Sequence, residues 1–141
     1  MKKFLILYYL ILSLAWSQTV TYHKEGDSPI QGYLALPKAK GPVPGIILIH
    51  EWWGLNDDIR EKANHFASQG YAALAVDLYH GGSTDKSSEA RQLAGAVRED
   101  MEGAFTNLSA ALDYLKNQPG VDEKRLASIG WCFGGGWSYQ I

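Results

Sequence analysis

Gly130-Trp131-Cys132-Phe133-Gly134-Gly135 is the stretch whose reading decides the fold. It follows directly on the strand-like run Arg125-Leu126-Ala127-Ser128-Ile129. A strand, then a single reactive side chain bracketed by glycines, reads as a nucleophile elbow. That turn bends sharply from strand to helix and lifts one side chain above a sheet, most often as Gly-x-Ser-x-Gly. The glycines are needed because the nucleophile holds a strained backbone angle that leaves no room for neighbouring Cβ atoms. Here the nucleophile is the thiol of Cys132. Cysteine is also among the most buried residue types and often only packs, but the glycines and the strand before them favour chemistry. At an elbow the thiol stands at a helix N-terminus, where free N–H groups and the helix dipole favour an anion. The backbone N–H of the following residue, Phe133, then becomes one oxyanion-hole donor.

Working back from the elbow, the chain alternates strand and helix. Val97, Met101, Ala104, Leu108, Ala111 and Leu115 step by four and three, which predicts one long amphipathic helix ending before Pro119-Gly120. His80 to Ser88 is polar and glycine-rich and reads as a loop without order. Tyr71 to Val76 is a buried strand closed by Asp77. Asp57 to Gln69 has helical spacing at Ile59, Ala63, Phe66 and Ala67, with Gly70 where a C-terminal cap belongs. Ile46-Ile47-Leu48-Ile49 is a continuous apolar run, as in a central parallel strand covered on both faces. Thr19 to His23 and Ile30 to Leu36 predict a half-exposed hairpin at a sheet edge, turned at Glu25-Gly26-Asp27-Ser28-Pro29. This rhythm is that of a doubly wound α/β sheet of mostly parallel strands. Such sheets take ligands at the carboxyl ends of their strands, which here carry His50-Glu51-Trp52-Trp53-Gly54, Asp77-Leu78-Tyr79-His80 and Trp131-Cys132-Phe133.

The loop after Ile49 is where an α/β-hydrolase-type sheet places its second oxyanion donor, and the backbone N–H of Trp52 fills that position. Glu51 brings a carboxylate to the same mouth, although it also suits a helix cap or a surface ion pair. His-Glu-Trp-Trp-Gly lacks the second histidine of His-Glu-x-x-His, so no zinc site is read there. His23, His65 and His80 fall in an edge strand, a surface helix and a loop, and read as structural or solvated. Gly134 to Gly136 lack both the P-loop lysine and the dinucleotide glycine spacing, so no cofactor is implied. Trp52, Trp53, Tyr79, Trp131 and Trp137 suit either packing or an aromatic-lined pocket.

The 141 residues make one domain at most, and a formal charge of −2 without charged blocks gives no footprint for nucleic acid or an anionic membrane. A single cysteine excludes an intrachain disulfide, so Cys132 has to be explained as a thiol. At the start, Lys2 and Lys3 precede an apolar run from Phe4 to Trp16, and Ala15 and Ser17 sit at the −3 and −1 positions of a cut before Gln18. Residues 1–17 therefore read as a signal peptide, and an exported chain, periplasmic or secreted, of 18–141 is expected. The run is too short to span a bilayer, which takes roughly 17–25 residues.

Taken together, His50-Glu51-Trp52-Trp53-Gly54-Leu55-Asn56, Asp77-Leu78-Tyr79 and Gly130-Trp131-Cys132-Phe133-Gly134-Gly135 resemble the dienelactone hydrolase family, thiol members of the α/β-hydrolase fold. The resemblance runs from about Ile30 to the C-terminus. It implies that Cys132 attacks the carbonyl of a small ester or lactone, and that Glu51 interacts with the resting thiol. It does not extend to the substrate-carboxylate-binding Arg that well-studied members carry after Asp-Leu-Tyr, because His80-Gly81-Gly82 stands there. The fold's triad runs nucleophile, acid, histidine, whereas only nine residues follow Cys132 and none is Asp, Glu or His. The expectation is the N-terminal part of a longer hydrolase, its sheet stopping just after the elbow, inactive by itself and with the strand before Cys132 left as a bare edge. Two other classes fit an exported α/β domain with one cysteine: a non-catalytic binding module, and a thiol redox or sensor protein.

Overall fold

The apolar run at residues 46–49 forms the centre of the molecule. In the computed structural model, which describes residues 16–141, it lies in β3 (Val43–Ile49), flanked by β4 (Ala72–Val76) and β5 (Val121–Gly130), both parallel to it. A hairpin of β1 (Trp16–Glu25) and β2 (Ser28–Leu36) joins β4 antiparallel through β2. The resulting five-stranded order is β1-β2-β4-β3-β5. The hairpin turns on Gly26 and Asp27 alone, with Glu25 opposite Ser28 and Gly26 at φ +58. Pro29 has no N–H to donate, and it sits in a strand that pairs at this end only with edge strand β1.

Alternation along β3 assigns each side chain to one of two cores. Ile47 and Ile49 join Leu74, Val76, Leu108, Leu115, Phe133 and Trp137 on one face. Ile46 and Leu48 join Ala73, Ala75, Ile59, Ala63 and Ala67 on the other. Helices therefore cover both faces, as a buried parallel sheet requires. The second face is filled by α1 (Asp57–Ser68), whose Asn56 carboxamide caps the Ile59 N–H at 3.2 Å. The first face is filled by α3 (Met101–Lys116) and α4 (Phe133–Ser138).

Two expectations are corrected. The single long helix is two, α2 (Ser87–Glu99) and α3, so Val97 stands on a different helix from Met101 and the residues after it. Asp100 causes the break. Its backbone leaves the helical region (φ −113, ψ 68), and its carboxylate accepts the Gly103 N–H at 3.0 Å as the cap of α3. The loop at residues 80–88 is also not without order. Ser87 and Ser88 start α2, Ser83 bridges to Gly54, and the Thr84 N–H donates to the Trp53 carbonyl at 3.1 Å.

β5 pairs with β3 alone among the described residues and lies at the sheet edge. None of its residues is buried. The proposed leader falls on residues 1–17, of which 1–15 lie outside the described residues; Trp16 and Ser17 open β1. No helix among the described residues is long and apolar enough to cross a membrane.

Candidate active site

The elbow has the strained geometry its glycines announce. Cys132 sits at φ 52, ψ −111, outside the regions open to L-residues at low cost, and it is the N-cap of α4. A Cβ on Gly130 would run into the backbone of Gly134, and one on Gly134 into the carbonyls of Ile49 and His50. The two glycines thus let α4 double back onto β5 and press against the end of β3. The Cys132 thiol is free and exposed, while Phe133 directly after it is buried.

The segments after β3, β4 and β5 converge behind the thiol. The rings of His50, Tyr79 and Phe133 form a cluster with centroid separations of 4.6 Å, 5.6 Å and 5.8 Å. Tyr79 donates its hydroxyl to the Trp52 carbonyl at 3.2 Å. Burial pushes its phenol up to about 12, so it is a neutral donor at physiological pH.

His50 is fully buried, and both ring nitrogens are engaged. Nε2 accepts the Leu78 N–H at 3.1 Å, which leaves Nδ1 to carry the proton and donate it to the Glu51 carbonyl at 2.6 Å. That assignment makes His50 neutral. Burial holds its pKa below the ordinary 6.5 and outweighs both the Glu51 hydrogen bond and the nearby Asp77 carboxylate. The Nε2–Asp77 approach of 3.9 Å is accordingly not an ion pair. The Glu51 carbonyl also accepts from Gly54 N at 3.2 Å. Because a trans peptide points its N–H opposite to its C=O, these two bonds fix the direction of the Trp52 N–H. Among the described residues, neither the Trp52 N–H nor the Phe133 N–H is given to another backbone group in a loop, cap or turn.

Asp77 is absorbed by the scaffold. Its carboxylate accepts the N–H groups of Tyr79, at 2.8 Å, and of Gly81. Its own N–H donates to Tyr22 Oη at 3.2 Å, and its carbonyl accepts Asn107 Nδ2 at 2.9 Å. Tyr22 Oη in turn donates to Asn107 Oδ1 at 2.6 Å, and burial raises this phenol beyond its ordinary range. A one-residue bulge between Thr21 and His23 turns Tyr22 into this network. Tyr22 and Asn107, 85 positions apart, carry no sequence signal that would pair them.

A hollow of about 480 Å³ opens beside the thiol, lined by Cys132, Phe133, Trp137 and Met101 together with Arg98. Arg98 was not legible as a site residue, because its place depends on where α2 ends. Glu51 and Trp52 are half-buried on the loop after β3 and are not among the residues lining this hollow. A second hollow, of about 490 Å³ between the hairpin and the start of α1, is lined by none of the four expected site residues. Among the described residues no group of three His, Cys, Asp or Glu stands close enough to hold a metal ion.

The model of the dienelactone hydrolase family matches residues 30–141. The chain belongs to the dienelactone hydrolase family. It is similar to the protein usf of Aquifex pyrophilus, with 36% identity over 122 residues, covering 84% of this chain and 52% of that one. It is also similar to the carboxymethylenebutenolidase of Pseudomonas putida, with 34% identity over 123 residues, covering 82% of this chain and 51% of the enzyme. Among solved structures, m3DLH superposes with a TM-score of 0.80 at 35% identity, over 89% of this chain and 52% of m3DLH. The dienelactone hydrolase resemblance read from the three sequence segments is thus the family found, and the α/β-hydrolase sheet is the fold found. The chain spans about half the length of the curated relatives it matches.

Proposed function

We propose that the protein hydrolyses carboxylic esters or lactones through a thioester on Cys132. The observation that carries this reading is the Cys132 backbone, held at φ 52 with its thiol exposed at the head of α4. A non-glycine residue is kept in such a conformation at a cost of roughly 1–3 kcal/mol, and the cost is expected where function needs it. In the first half-reaction the Cys132 thiol gives up its proton, its sulfur bonds to the carbonyl carbon, and the ester C–O bond breaks. That proton passes to the alkoxide, which leaves as the alcohol or, from a lactone, stays as a hydroxyl on the acyl group. In the second, water adds to the thioester carbon, the C–S bond breaks, and the carboxylic acid and thiol are released. The backbone N–H groups of Phe133 and Trp52, given to no other loop, cap or turn group among the described residues, suit the oxyanion formed in each step. Glu51 is assigned to the resting thiol on the family resemblance alone.

Within the described residues no histidine suits the base that the second step needs. His50 is locked as a neutral bridge between Leu78 and Glu51. His80 pairs with Glu25 at 3.1 Å, His65 is exposed on α1, and His23 lies in β1. The 141 residues by themselves are therefore proposed to acylate without turning over. With p-nitrophenyl acetate, they should release at most one equivalent of p-nitrophenolate and then stall. Continuous turnover that vanishes on Cys132→Ala would refute the stall and leave the nucleophile standing. Release that persists in Cys132→Ala would refute the nucleophile.

A further inference from the structure

Three successive carbonyls of the loop after β3 are each held by a donor. The Glu51 carbonyl accepts from His50 Nδ1 at 2.6 Å and from Gly54 N at 3.2 Å. The Trp52 carbonyl accepts from the Tyr79 hydroxyl at 3.2 Å, and the Trp53 carbonyl from Thr84 N at 3.1 Å. Tyr79 and Thr84 belong to the loop after β4, and so does Leu78, whose N–H anchors His50 Nε2 at 3.1 Å. The peptides before and after Trp52 are therefore pinned to the end of β4. Its own N–H is given to no loop, cap or turn group among the described residues. The same two rings also touch the segment that carries the second donor. Phe133 stacks on His50 with centroids 5.8 Å apart and planes at 15°, and its ring lies 5.6 Å from that of Tyr79. His50 and Tyr79 are both buried, so packing holds each ring in one orientation.

We propose that His50 and Tyr79 are positioning residues that set the spacing and direction of the two oxyanion donors, the N–H groups of Trp52 and Phe133. The proposal rests on the acyl transfer assigned above to Cys132. An oxyanion gains from such donors only where they already point at the place its charge develops, because reorienting a peptide during the reaction costs part of that gain. Hydrogen bonds hold the first donor and ring stacking holds the second, and both start from one pair of rings. His50 also strengthens the first donor. A carbonyl that accepts two hydrogen bonds polarises its own peptide, so the N–H on the far side becomes a better donor. This chain runs from the Leu78 N–H through the imidazole and the Glu51 carbonyl to the Trp52 N–H, and it requires the proton on Nδ1. Neither side chain touches the reacting atoms in this role. Each acts through the backbone it holds.

Two readouts on the 141-residue chain test this, and only one needs acyl chemistry. The first compares the rate at which p-nitrophenyl acetate acetylates Cys132 with the rate at which iodoacetamide alkylates it. Acetylation passes through an oxyanion, whereas alkylation displaces iodide directly and forms none. His50→Gln should therefore lower the acetylation-to-alkylation ratio roughly tenfold or more, within the range for a misplaced oxyanion donor. His50→Asn, whose carboxamide nitrogen takes the place of Nδ1, should restore most of the ratio. Tyr79→Phe removes one hydroxyl and leaves the ring packed. It should lower the ratio roughly threefold, as for one hydrogen bond, and it stands in if His50→Gln does not fold. The second readout is the Trp52 backbone amide in proton–nitrogen correlation spectra. Its nitrogen should shift upfield in His50→Gln and return in His50→Asn, since the carbonyl joined to it loses and regains a donor. Amide shifts that follow this pattern with Cys132 never acetylated would sustain the positioning and sink the hydrolase reading. Acetylation of Cys132 with the ratio unmoved in His50→Gln and Tyr79→Phe would overturn the positioning and leave the nucleophile standing. A Trp52 amide unmoved in His50→Gln would overturn it whatever the rates. Equal losses in both rates would also overturn it, by showing that the two rings only support the fold around Cys132.

Discussion

The carboxyl ends of β4 and β5 flank the same central strand but are finished in opposite ways. At the end of β4, the N–H, carbonyl and carboxylate of Asp77 are all hydrogen-bonded inside the protein, as are both ring nitrogens of neighbouring His50. At the end of β5 the backbone is strained at Cys132, the thiol is exposed, and among the described residues the Phe133 N–H is given to no other loop, cap or turn group. The first end holds the loops in place, and the second leaves its thiol open at the surface. The difference teaches which groups to read as machinery. A buried polar residue with every bond satisfied is scaffold, however suggestive its side chain, whereas strain combined with an unsatisfied donor marks chemistry.

The contrast is broken most forcefully at Gly134. A Cβ there meets the carbonyls of Ile49 and His50, and backbone cannot yield as a flexible side chain can. Gly134→Ala should therefore cost about 3 kcal/mol or more, the upper end for overpacking. Urea denaturation checks this, and a loss below about 1 kcal/mol would mean that α4 does not press on β3 as described.

Next in size is the pH dependence at the β4 end. The unfolded chain takes up a proton at His50 as pH falls through about 6.5, while burial keeps the native imidazole neutral. Stability from this group is thus complete above that pH and lost below it, at up to about 1.4 kcal/mol per pH unit. Denaturation curves between pH 7.5 and 5.5 should show this slope in the native sequence and a shallower one in His50→Gln. Equal slopes would place the charge-sensitive group elsewhere.

The smallest effect has the opposite sign. Cys132→Gly should relieve the left-handed strain and stabilise by about 1 kcal/mol, less the extra chain entropy of glycine. A clear destabilisation would show that the thiol, and not the turn, sets the cost.

Much of this was legible because it is local. Ile46 to Ile49 announced a strand covered on both sides, and the glycines around Cys132 announced the elbow, since each rests on neighbours in sequence. The helix break at Asp100 was hidden because Val97, Met101 and Ala104 keep helical spacing straight through it. Only the capping role of Asp100 toward Gly103 interrupts that pattern. The Tyr22–Asn107–Asp77 network and the place of Arg98 beside Cys132 need the assembled sheet. Polar residues so distant in sequence reveal their pairing only once strands are in register. His50 looked like half a metal motif because its role, a bridge between two backbone groups, leaves no pattern in the sequence.

The most direct test of the account is mass spectrometry of the 141-residue chain quenched in acid shortly after mixing with p-nitrophenyl acetate. The account predicts one acetyl group per chain, located by peptide mapping on Cys132, removed by hydroxylamine at neutral pH, and absent from Cys132→Ala. Acetylation confined to lysines, or unchanged by loss of Cys132, would contradict it.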